Sequence, residues 1–342
     1  MKKYIILSCA FFFLITTSVF GQAQKFKRQK LAQTGMKFLS VSTDARISAL
    51  GDAGTALEGN SALLFYNPAG LGFLSGFADV SMGQVEWIAD IKYVHGGAVF
   101  SPENGQYGVF GISVLSADYG DFNGTIRYNN DQGFIDLGDL SASPGALIIG
   151  ISYAKALSNQ FSVGGNIKYV NQDLGSSIVG FNSAGGYNKK SYSANVMAFD
   201  FGILYRTGFK SLNFGMCIKN FSEEVTYEDE SFQLPLTFKI GVAMDVFDLY
   251  EGLNKKTHAL LVSVDAVHPR DYYEQVNFGL EYLFLKTFAL RLGYSTPNDE
   301  HGFSAGVGLQ QSYHNYMLAL DYSYTPFGVF NDVHRFSFRF AL

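Results

Sequence analysis

RFSFRF, residues Arg335 to Phe340, is the last strand-like stretch of this 342-residue chain. Side chains on a β-strand alternate between its two faces, so the three phenylalanines share one face and the two arginines share the other with Ser337. In a soluble protein the phenylalanines would face a core and the arginines would face water. A strand of a transmembrane barrel has the opposite arrangement, with apolar side chains toward lipid and polar side chains toward a wet lumen. The rest of the sequence favours the second interpretation.

The same alternation recurs from about residue 77 onward. Its unit is a run of nine or ten residues with period two, followed by a turn. In Phe288–Tyr294 (FALRLGY), large apolar side chains occupy one face, while alanine, arginine and glycine occupy the other. Aromatic residues tend to lie near the ends of the apolar face, which suits a membrane interface. We expect six charged residues on the polar faces to point into a lumen: Lys168, Lys239, Glu281, Arg291, Asp321 and Arg339.

Counting these runs predicts an all-β fold, a closed transmembrane antiparallel barrel of about fourteen strands. The predicted strands are 77–86, 90–100, 107–117, 145–155, 160–171, 192–206, 210–221, 235–245, 256–266, 274–283, 286–294, 301–310, 314–324 and 333–341. An even count is typical of bacterial outer-membrane barrels. The strands at 77–86 and 192–206 alternate least regularly, so twelve and sixteen strands are the alternatives.

The lengths of the connections support the same fold. Every second connection is short, as at Ser101–Gln106 and Leu157–Asn159, whereas Asp118–Pro144 and Asn171–Ser191 are long and rich in Gly, Asn, Ser and Asp. Short turns on one side and long loops on the other match the periplasmic and extracellular ends of a barrel. The connection Val246–Lys255 is an exception, because it is longish on the side predicted to be short.

Residues 1–21 have the pattern of a secretory signal peptide. Two lysines precede the mainly apolar run Tyr4–Phe20, and small residues follow it. We expect cleavage after Gly21 or Ala23, which leaves Cys217 as the only cysteine of an exported chain. A retained membrane anchor is the alternative, but the run is short for a spanning helix.

The composition excludes several other classes of protein. Charged residues make up 16% of the chain, against the roughly 25% expected of a soluble domain, while aromatic residues make up another 16%. No apolar run of 18 residues follows the signal segment, and the mean hydropathy is only +0.07, so spanning helices are not expected. A net charge of −5 gives no basic surface for nucleic acid.

The segment 22–76 differs from the barrel repeat. It is dense in small residues, and Ser61–Tyr66 reads as one or two helical turns that begin at Asn60 or Ser61. We expect Asn67 to adopt the left-handed conformation that ends such a turn, because Pro68 cannot continue it. About fifty residues of this kind before a barrel suggest a plug inside it. An extension lying on the periplasmic surface is the alternative.

Four short stretches in this segment carry a resemblance to a known family. Phe38–Leu39, Ala45–Arg46, Ala49–Gly54 and Phe65–Leu71, in that order, resemble the N-terminal signature of the PorV/PorQ family. That family is similar in fold to the FadL long-chain fatty-acid transporters, which also carry an Asn-Pro-Ala hatch motif. The resemblance implies an outer-membrane barrel associated with type IX secretion. It also implies partners among secretion-system components or exported cargo proteins, besides the lipid of the outer membrane.

The resemblance further assigns roles to four residues. Asn67, Pro68 and Ala69 match the hatch motif, whose movement would open or close the lumen; the plainer alternative is that they only turn the chain. Phe340 matches the aromatic residue of the terminal strand that barrel-assembly machinery recognises. We expect the inward charges to form solvated pairs that rigidify the lumen, with a role in conducting a ligand as the alternative.

No catalytic, metal-binding or cofactor-binding motif stands out. The six histidines are scattered and no H-E-x-x-H spacing occurs. The one G-x-S-x-G match, GFSAG at residues 302–306, lies inside the predicted strand 301–310 and not at a strand-to-helix elbow. The sequence therefore predicts a non-enzymatic outer-membrane barrel of PorV/PorQ type that binds exported proteins or secretion machinery. The alternatives are a FadL-like passive route for a hydrophobic ligand or lipid, and a soluble periplasmic β-protein.

Overall fold

The computed structural model describes residues 34–121, 123–127, 134–139, 144–181, 186–250, 254, 257–298 and 302–342. The predicted signal peptide, residues 1–21, lies outside the described residues. So do residues 22–33 of the predicted plug segment and parts of the predicted loop 118–144.

Fourteen strands close into an antiparallel barrel, which confirms the predicted fold class and strand count. Around the barrel they follow the order β1, β18, β17, β16, β15, β14, β13, β12, β9, β8, β7, β6, β3 and β2. The strands are β1 (Ala78–Glu86), β2 (Lys92–Phe100), β3 (Val109–Asp118), β4 (Asn123–Arg127), β5 (Phe134–Asp139), β6 (Gly145–Ala156), β7 (Phe161–Phe181), β8 (Tyr187–Arg206), β9 (Asn213–Phe221), β10 (Val225–Tyr227), β11 (Glu230–Phe232), β12 (Thr237–Asp245), β13 (His258–Pro269), β14 (Gln275–Phe284), β15 (Phe288–Thr296), β16 (Phe303–Tyr313), β17 (Tyr316–Thr325) and β18 (Val333–Ala341). The pairs β4–β5 and β10–β11 form separate two-stranded hairpins.

The outer face of the barrel is an apolar belt. Ile112 on β3 is 62% exposed, while its neighbour Ser113 faces inward and is 4% exposed. On β18, Phe336 is 50% exposed, whereas Arg335 is 2% exposed. A closed barrel leaves no unpaired strand edge at membrane depth, so apolar side chains can face lipid without exposing backbone polar groups. In β18, Phe336 therefore faces outward and Arg335 faces the lumen, as expected of a transmembrane barrel strand.

The two ends of the barrel differ. At one end the backbone N–H groups of Phe77 and Ala78 donate to the carbonyl of Leu342, and the turns between β6 and β7 and between β16 and β17 are short. At the other end lie the hairpins β4–β5 and β10–β11. Because outer-membrane barrels have short periplasmic turns and longer outer loops, we assign the first end as the periplasmic rim and the second as the outer mouth.

The prediction of a loop at Asn171–Ser191 is wrong. Its residues belong mainly to β7 and β8, which pair with each other beyond the rest of the barrel. The pairing shifts register after Asp173 and again after Ile178, and Gly175 has a φ of 82°. Bulges of this kind let a glycine- and serine-rich stretch stay in a ladder. Composition alone had indicated a loop.

Residues 36–74 fill the lumen as a plug, so the alternative of a surface extension is wrong. The plug contains one helix, α1 (Ala45–Ala49), and 3₁₀ turns at Lys37–Ser40, Ser61–Phe65 and Pro68–Phe73. Asp44 begins α1, and its Oδ1 accepts a hydrogen bond from the Ile47 N–H at 2.9 Å. No helix among the described residues combines the length and apolar character that crossing a membrane requires.

The plug packs against an inner wall that is lined with glycine residues, which have no side chain. A Cβ atom at Gly164 on β7 would lie 2.5 Å from the backbone nitrogen of Ala69, and one at Gly293 on β15 would collide with the backbone of Gly51. Glycine permits such close approach of two backbones. Four inward glycines approach the plug backbone in this way: Gly164, Gly215, Gly279 and Gly293. Four more approach plug side chains: Gly97, Gly111, Gly202 and Gly306.

We expect Gly164→Val to displace the plug or to lower the free energy of unfolding by about 1–3 kcal/mol, because the new side chain overpacks the wall. The matched control is Gly165→Val, whose Cβ would meet its nearest neighbour at an ordinary 3.6 Å. Urea unfolding in lipid vesicles, followed by the fluorescence of the single tryptophan Trp87, measures both variants. Equal effects of the two substitutions would contradict the close contact between plug and wall.

Candidate functional site

A chain of four charges joins the plug to the barrel wall. The guanidinium of Arg46 on α1 donates two hydrogen bonds to Glu281 on β14, at 2.8 and 2.7 Å. Arg291 on β15 donates to the same carboxylate and, at 2.6 Å, to Asp321 on β17. Glu281 and Arg291 are direct cross-strand neighbours, so the barrel register brings these two together and the plug adds Arg46. Two cations and two anions balance in this cluster.

A second polar cluster surrounds a bulge in the wall between β8 and β9. The Lys168 ammonium lies 2.7 Å from Asp200 and donates to Asn220 at 2.6 Å. Asn220 has a φ of 61°, and its backbone N–H donates to Asp200 at 2.8 Å. Lys219 faces inward by the alternation of β9, and because a bulge places two successive residues against one on the neighbouring strand, Asn220 turns inward as well. The Lys219 ammonium donates to the carbonyl of Phe65 in the plug at 2.6 Å.

The other two predicted charges lie apart from these clusters. Arg339 on β18 donates to Asp79 on β1 at 2.8 Å, and the other oxygen of Asp79 accepts from the backbone N–H of Ser61 in the plug. Lys239 interacts electrostatically with Asp265 on β13. Asp265 in turn accepts hydrogen bonds from the backbone and the hydroxyl of Thr55, at 3.0 and 2.6 Å.

The expectation of solvated lumen pairs is wrong for the two central clusters. Lys168, Asp200, Glu281 and Arg291 are all buried, because the plug excludes water from this depth of the lumen. The sequence reading also missed the plug residues that complete the clusters. Arg46 is the only arginine in the small-residue stretch Ala45–Ala56, and that isolation was the one available signal.

The hatch motif holds the plug to itself and to the wall. Asn67 is fully buried; its Oδ1 accepts from the Ala69 N–H at 3.1 Å, and its Nδ2 donates to the carbonyls of Thr55 at 2.7 Å and Ile203 at 3.2 Å. The Ser162 hydroxyl on β7 donates to the carbonyl of Ala69 at 2.8 Å. In this state the motif ties two parts of the plug and two strands together.

The predicted backbone conformation of Asn67 is wrong. Its φ is −121° and its ψ is 105°, which is extended and not left-handed. Pro68 does not merely end the preceding turn, because it occupies the first position of the next 3₁₀ turn, Pro68–Phe73. Proline suits that position since the first N–H of a turn has no partner within it. Asn67 therefore begins a turn with its side chain.

A cavity of about 650 Å³, here called the vestibule, opens above the plug at the outer mouth. Residues Met36–Ser42 form part of its lining, and Trp87 and Tyr93 give it an aromatic side. Lys219, Lys239 and Arg335 also line it. The buried Arg335 guanidinium donates to the carbonyl of Ser42 at 2.9 Å and lies 5.4 Å from the centre of the Trp87 ring. The vestibule thus combines an aromatic side with cationic groups.

A second cavity, of about 560 Å³, lies on the periplasmic side of the plug. Arg206 on β8 lines it and donates to Glu58 of the plug through two hydrogen bonds of 2.9 Å. The same guanidinium stacks 3.7 Å from the centre of the Phe73 ring. The two cavities share no lining residue, so the plug separates the outer mouth from the periplasmic rim.

Two carboxyl groups outside the strands show how the plug is anchored. Burial raises the pKa of Asp44, and the N–H of Ile47 offsets only part of that rise. Burial alone would also raise the pKa of Asp271, but hydrogen bonds from Lys37 and Thr34 lower it below its usual value. A lowered pKa in the folded state stabilises the fold above the unfolded pKa, and this contribution is lost as pH falls through the folded pKa.

The remaining residues of interest have structural contacts. Phe340 lies near the periplasmic rim on β18 and stacks on Tyr316 with 5.9 Å between ring centres. Cys217 is buried, and its sulfur lies 3.2 Å from the carbonyl of Tyr66. Within the part of the chain that the structure describes, no group of three or more His, Cys, Asp or Glu side chains could hold a metal ion.

Comparison with known proteins adds a family and a set of folds. The family model for "Type IX secretion system protein PorV" matches residues 24–267. The structure is similar to the Ralstonia pickettii toluene transporter TbuX, with 11% identity over 88% of this chain and 98% of that one and a TM-score of 0.57. The Pseudomonas putida toluene transporter TodX gives 12% identity over 88% and 97%, with a TM-score of 0.55. A Pseudomonas aeruginosa FadL homologue gives 10% identity over 88% and 98%, with a TM-score of 0.54. No curated protein matches the chain.

We expect Glu281→Gln to lower the free energy of unfolding by about 3–5 kcal/mol, because the buried guanidinium of Arg291 and the partly exposed one of Arg46 lose their shared carboxylate. The double variant Arg46→Met with Glu281→Gln should recover part of this loss, since Arg291 and Asp321 then balance each other. Urea unfolding in lipid vesicles measures both variants. The control is Glu228→Gln, which removes half of an exposed ion pair with Lys190 and should leave unfolding unchanged. A Glu281→Gln protein as stable as the control would contradict the buried network.

Proposed function

The chain belongs to the PorV family of type IX secretion system proteins, and we propose that it is a non-enzymatic barrel that binds exported proteins or secretion machinery at its outer mouth. The fold and the family identify the chain as an outer-membrane barrel. The secretion role and its partners are the proposal.

The filled lumen favours docking of a partner protein at the surface over conduction of a ligand through the barrel. The plug fills the lumen and is fastened to the wall at several heights, by Arg46 to Glu281, by Ser61 to Asp79 and by Glu58 to Arg206. A closed lumen favours work done at the surface of the barrel over passage through it. The barrel then serves as a rigid platform in the membrane.

The outer mouth offers the surface for such docking. The hairpin β4–β5, the extended pair β7–β8 and the hairpin β10–β11 all project on this side. Loops and hairpins carried on a rigid scaffold are common binding elements. Exposed strand edges on such hairpins can also pair with an extended segment of a partner.

The proposal includes the export and assembly of the chain. Residues 1–21 act as a cleaved signal peptide, residues 22–76 form the hatch segment, and residues 77–342 form the barrel. Asn67, Pro68 and Ala69 keep the hatch closed through the hydrogen bonds described above. Phe340 serves as the terminal aromatic residue that barrel-assembly machinery recognises.

A second candidate function is a passive route for hydrophobic small molecules. The vestibule favours it, because a cavity of about 650 Å³ with an aromatic side has the size of a small-molecule site. The similar structures TbuX and TodX are described as toluene transporters. This route would require the plug to move.

The docking proposal predicts that the outer hairpins capture partners. Replacing residues 123–139 with a short Gly-Ser link should lower the recovery of exported proteins or secretion components from native membranes about tenfold. The control is a Gly-Ser replacement of the periplasmic turn Leu157–Gln160, which should leave recovery unchanged. Recovery of no secretion component by the unmodified protein would exclude the docking role. Slowed toluene uptake in a deletion strain would then support the second candidate.

The assembly proposal predicts that Phe340→Ser lowers the yield of heat-modifiable barrel in the outer membrane. The matched control is Phe336→Ser, which removes a phenylalanine from the same face of the same strand, farther from its end. Gel mobility of unheated membrane samples measures folded barrel directly. A loss of equal size in both variants would mean that lipid contact, and not recognition of the strand end, sets the yield.

A further inference from the structure

The described chain enters the barrel at the outer mouth and leaves it at the periplasmic rim. Thr34 forms a parallel bridge with Gln233, and the N–H of Gly35 donates to the Gln233 carbonyl at 3.1 Å. Thr34 and Lys37 both donate to Asp271, in the outer turn between β13 and β14. Thr34, the first described residue, therefore lies at the outer mouth.

The preceding sequence is strongly basic. Residues 22–33 read QAQKFKRQKLAQ and contain four cations and no carboxylate. We call Lys25–Lys30 the basic segment. Lys30 is four residues from Thr34, so its backbone lies within about 14 Å of the Gln233 bridge whatever its conformation.

The hairpin at that bridge is strongly acidic. Ser222–Gln233, which contains β10 and β11, carries five carboxylates and no basic residue: Glu223, Glu224, Glu228, Asp229 and Glu230. All five side chains are exposed at the outer mouth. Gln233, which holds Thr34 and Gly35 through its backbone, donates its side-chain amide to Glu224 at 2.7 Å. Thr34 and Gly35, at the start of the described chain, thus already contact the acidic hairpin at Gln233.

We propose that the basic segment docks on the acidic hairpin on the outer side of the membrane. Three observations favour the basic segment as the ligand of this hairpin. The two carry opposite charges, the segment is within a short reach of Thr34, and the chain already contacts the hairpin at the Gln233 bridge. Lys190 already pairs with Glu228 at 2.7 Å, which shows that a lysine can be held on this hairpin.

The first test locates the basic segment. Cys217 is buried, so a single introduced cysteine in the full-length protein reports its own exposure. In intact cells, a membrane-impermeant maleimide should label Gln29→Cys as readily as Val329→Cys, which lies at the outer mouth and is 93% exposed in the native residue. Asn159→Cys, in a periplasmic turn, should be labelled only after the outer membrane is permeabilised. Labelling of Gln29→Cys that also requires permeabilisation would overturn the proposal.

The second test measures docking in the purified full-length protein. A short bismaleimide should cross-link Gln29→Cys with Ser231→Cys on the acidic hairpin several-fold more than with Val329→Cys, on the nearly opposite side of the mouth. Raising the salt concentration from about 0.05 to about 0.5 M should lower the yield of the cross-link between Gln29→Cys and Ser231→Cys, because exposed charges are screened. The combined substitutions Glu223→Gln, Glu224→Gln, Asp229→Asn and Glu230→Gln should lower this yield at low salt, and they leave the basic segment unaltered. Equal cross-linking to both positions, or a yield insensitive to salt and to these substitutions, would overturn the proposal.

Discussion

The contact between the plug backbone and a glycine-lined wall is the constraint on which the rest of the lumen depends. Where Gly164 meets Ala69 and Gly293 meets Gly51, the two surfaces approach more closely than any Cβ would allow. This approach excludes water from the middle of the barrel. Charges that a wide barrel would leave solvated must then find partners in the protein, because an unpaired buried charge costs far more than a paired one.

The buried charges therefore act as positioning devices. Arg46 matches two carboxylate oxygens of Glu281 with its planar fork, so only one placement of α1 satisfies both hydrogen bonds. Replacing a buried ion pair by apolar groups is often neutral for stability, so strength alone does not explain such a network. Its value here is that it specifies where the plug sits. The Lys168, Asp200 and Asn220 cluster does the same for the bulged part of the wall, where the backbone ladder is interrupted.

The barrel could be predicted from the sequence because a period of two and the connection lengths are local signals. The extent of β7 and β8 could not, since their glycine- and serine-rich ends look like a loop and become strand only through pairing with each other. The pairing of Arg46 with Glu281 could not be predicted either, because 235 positions separate the two residues in the sequence. Asn67 fits the same account. Its side chain donates to the carbonyls of Ile203 and Thr55, and these contacts outside its own turn select an extended backbone over the left-handed one that local rules favour.

Docking and conduction make different energetic demands on this lumen. Opening a path requires breaking the plug's hydrogen bonds to Glu281, Asp79, Asp265 and Arg206 together, because they fasten one continuous segment at several heights. A ligand can shift such an equilibrium only by its difference in affinity for the open and closed states. Moving a two-state equilibrium from about 1:99 to about 99:1 takes roughly 5.5 kcal/mol of that difference. A molecule held in the vestibule contacts Met36–Ser42 and Asp52 but none of the Arg206 anchor on the far side of the plug. Binding to hairpins at the outer mouth needs none of this rearrangement, so the closed plug is compatible with docking as it stands.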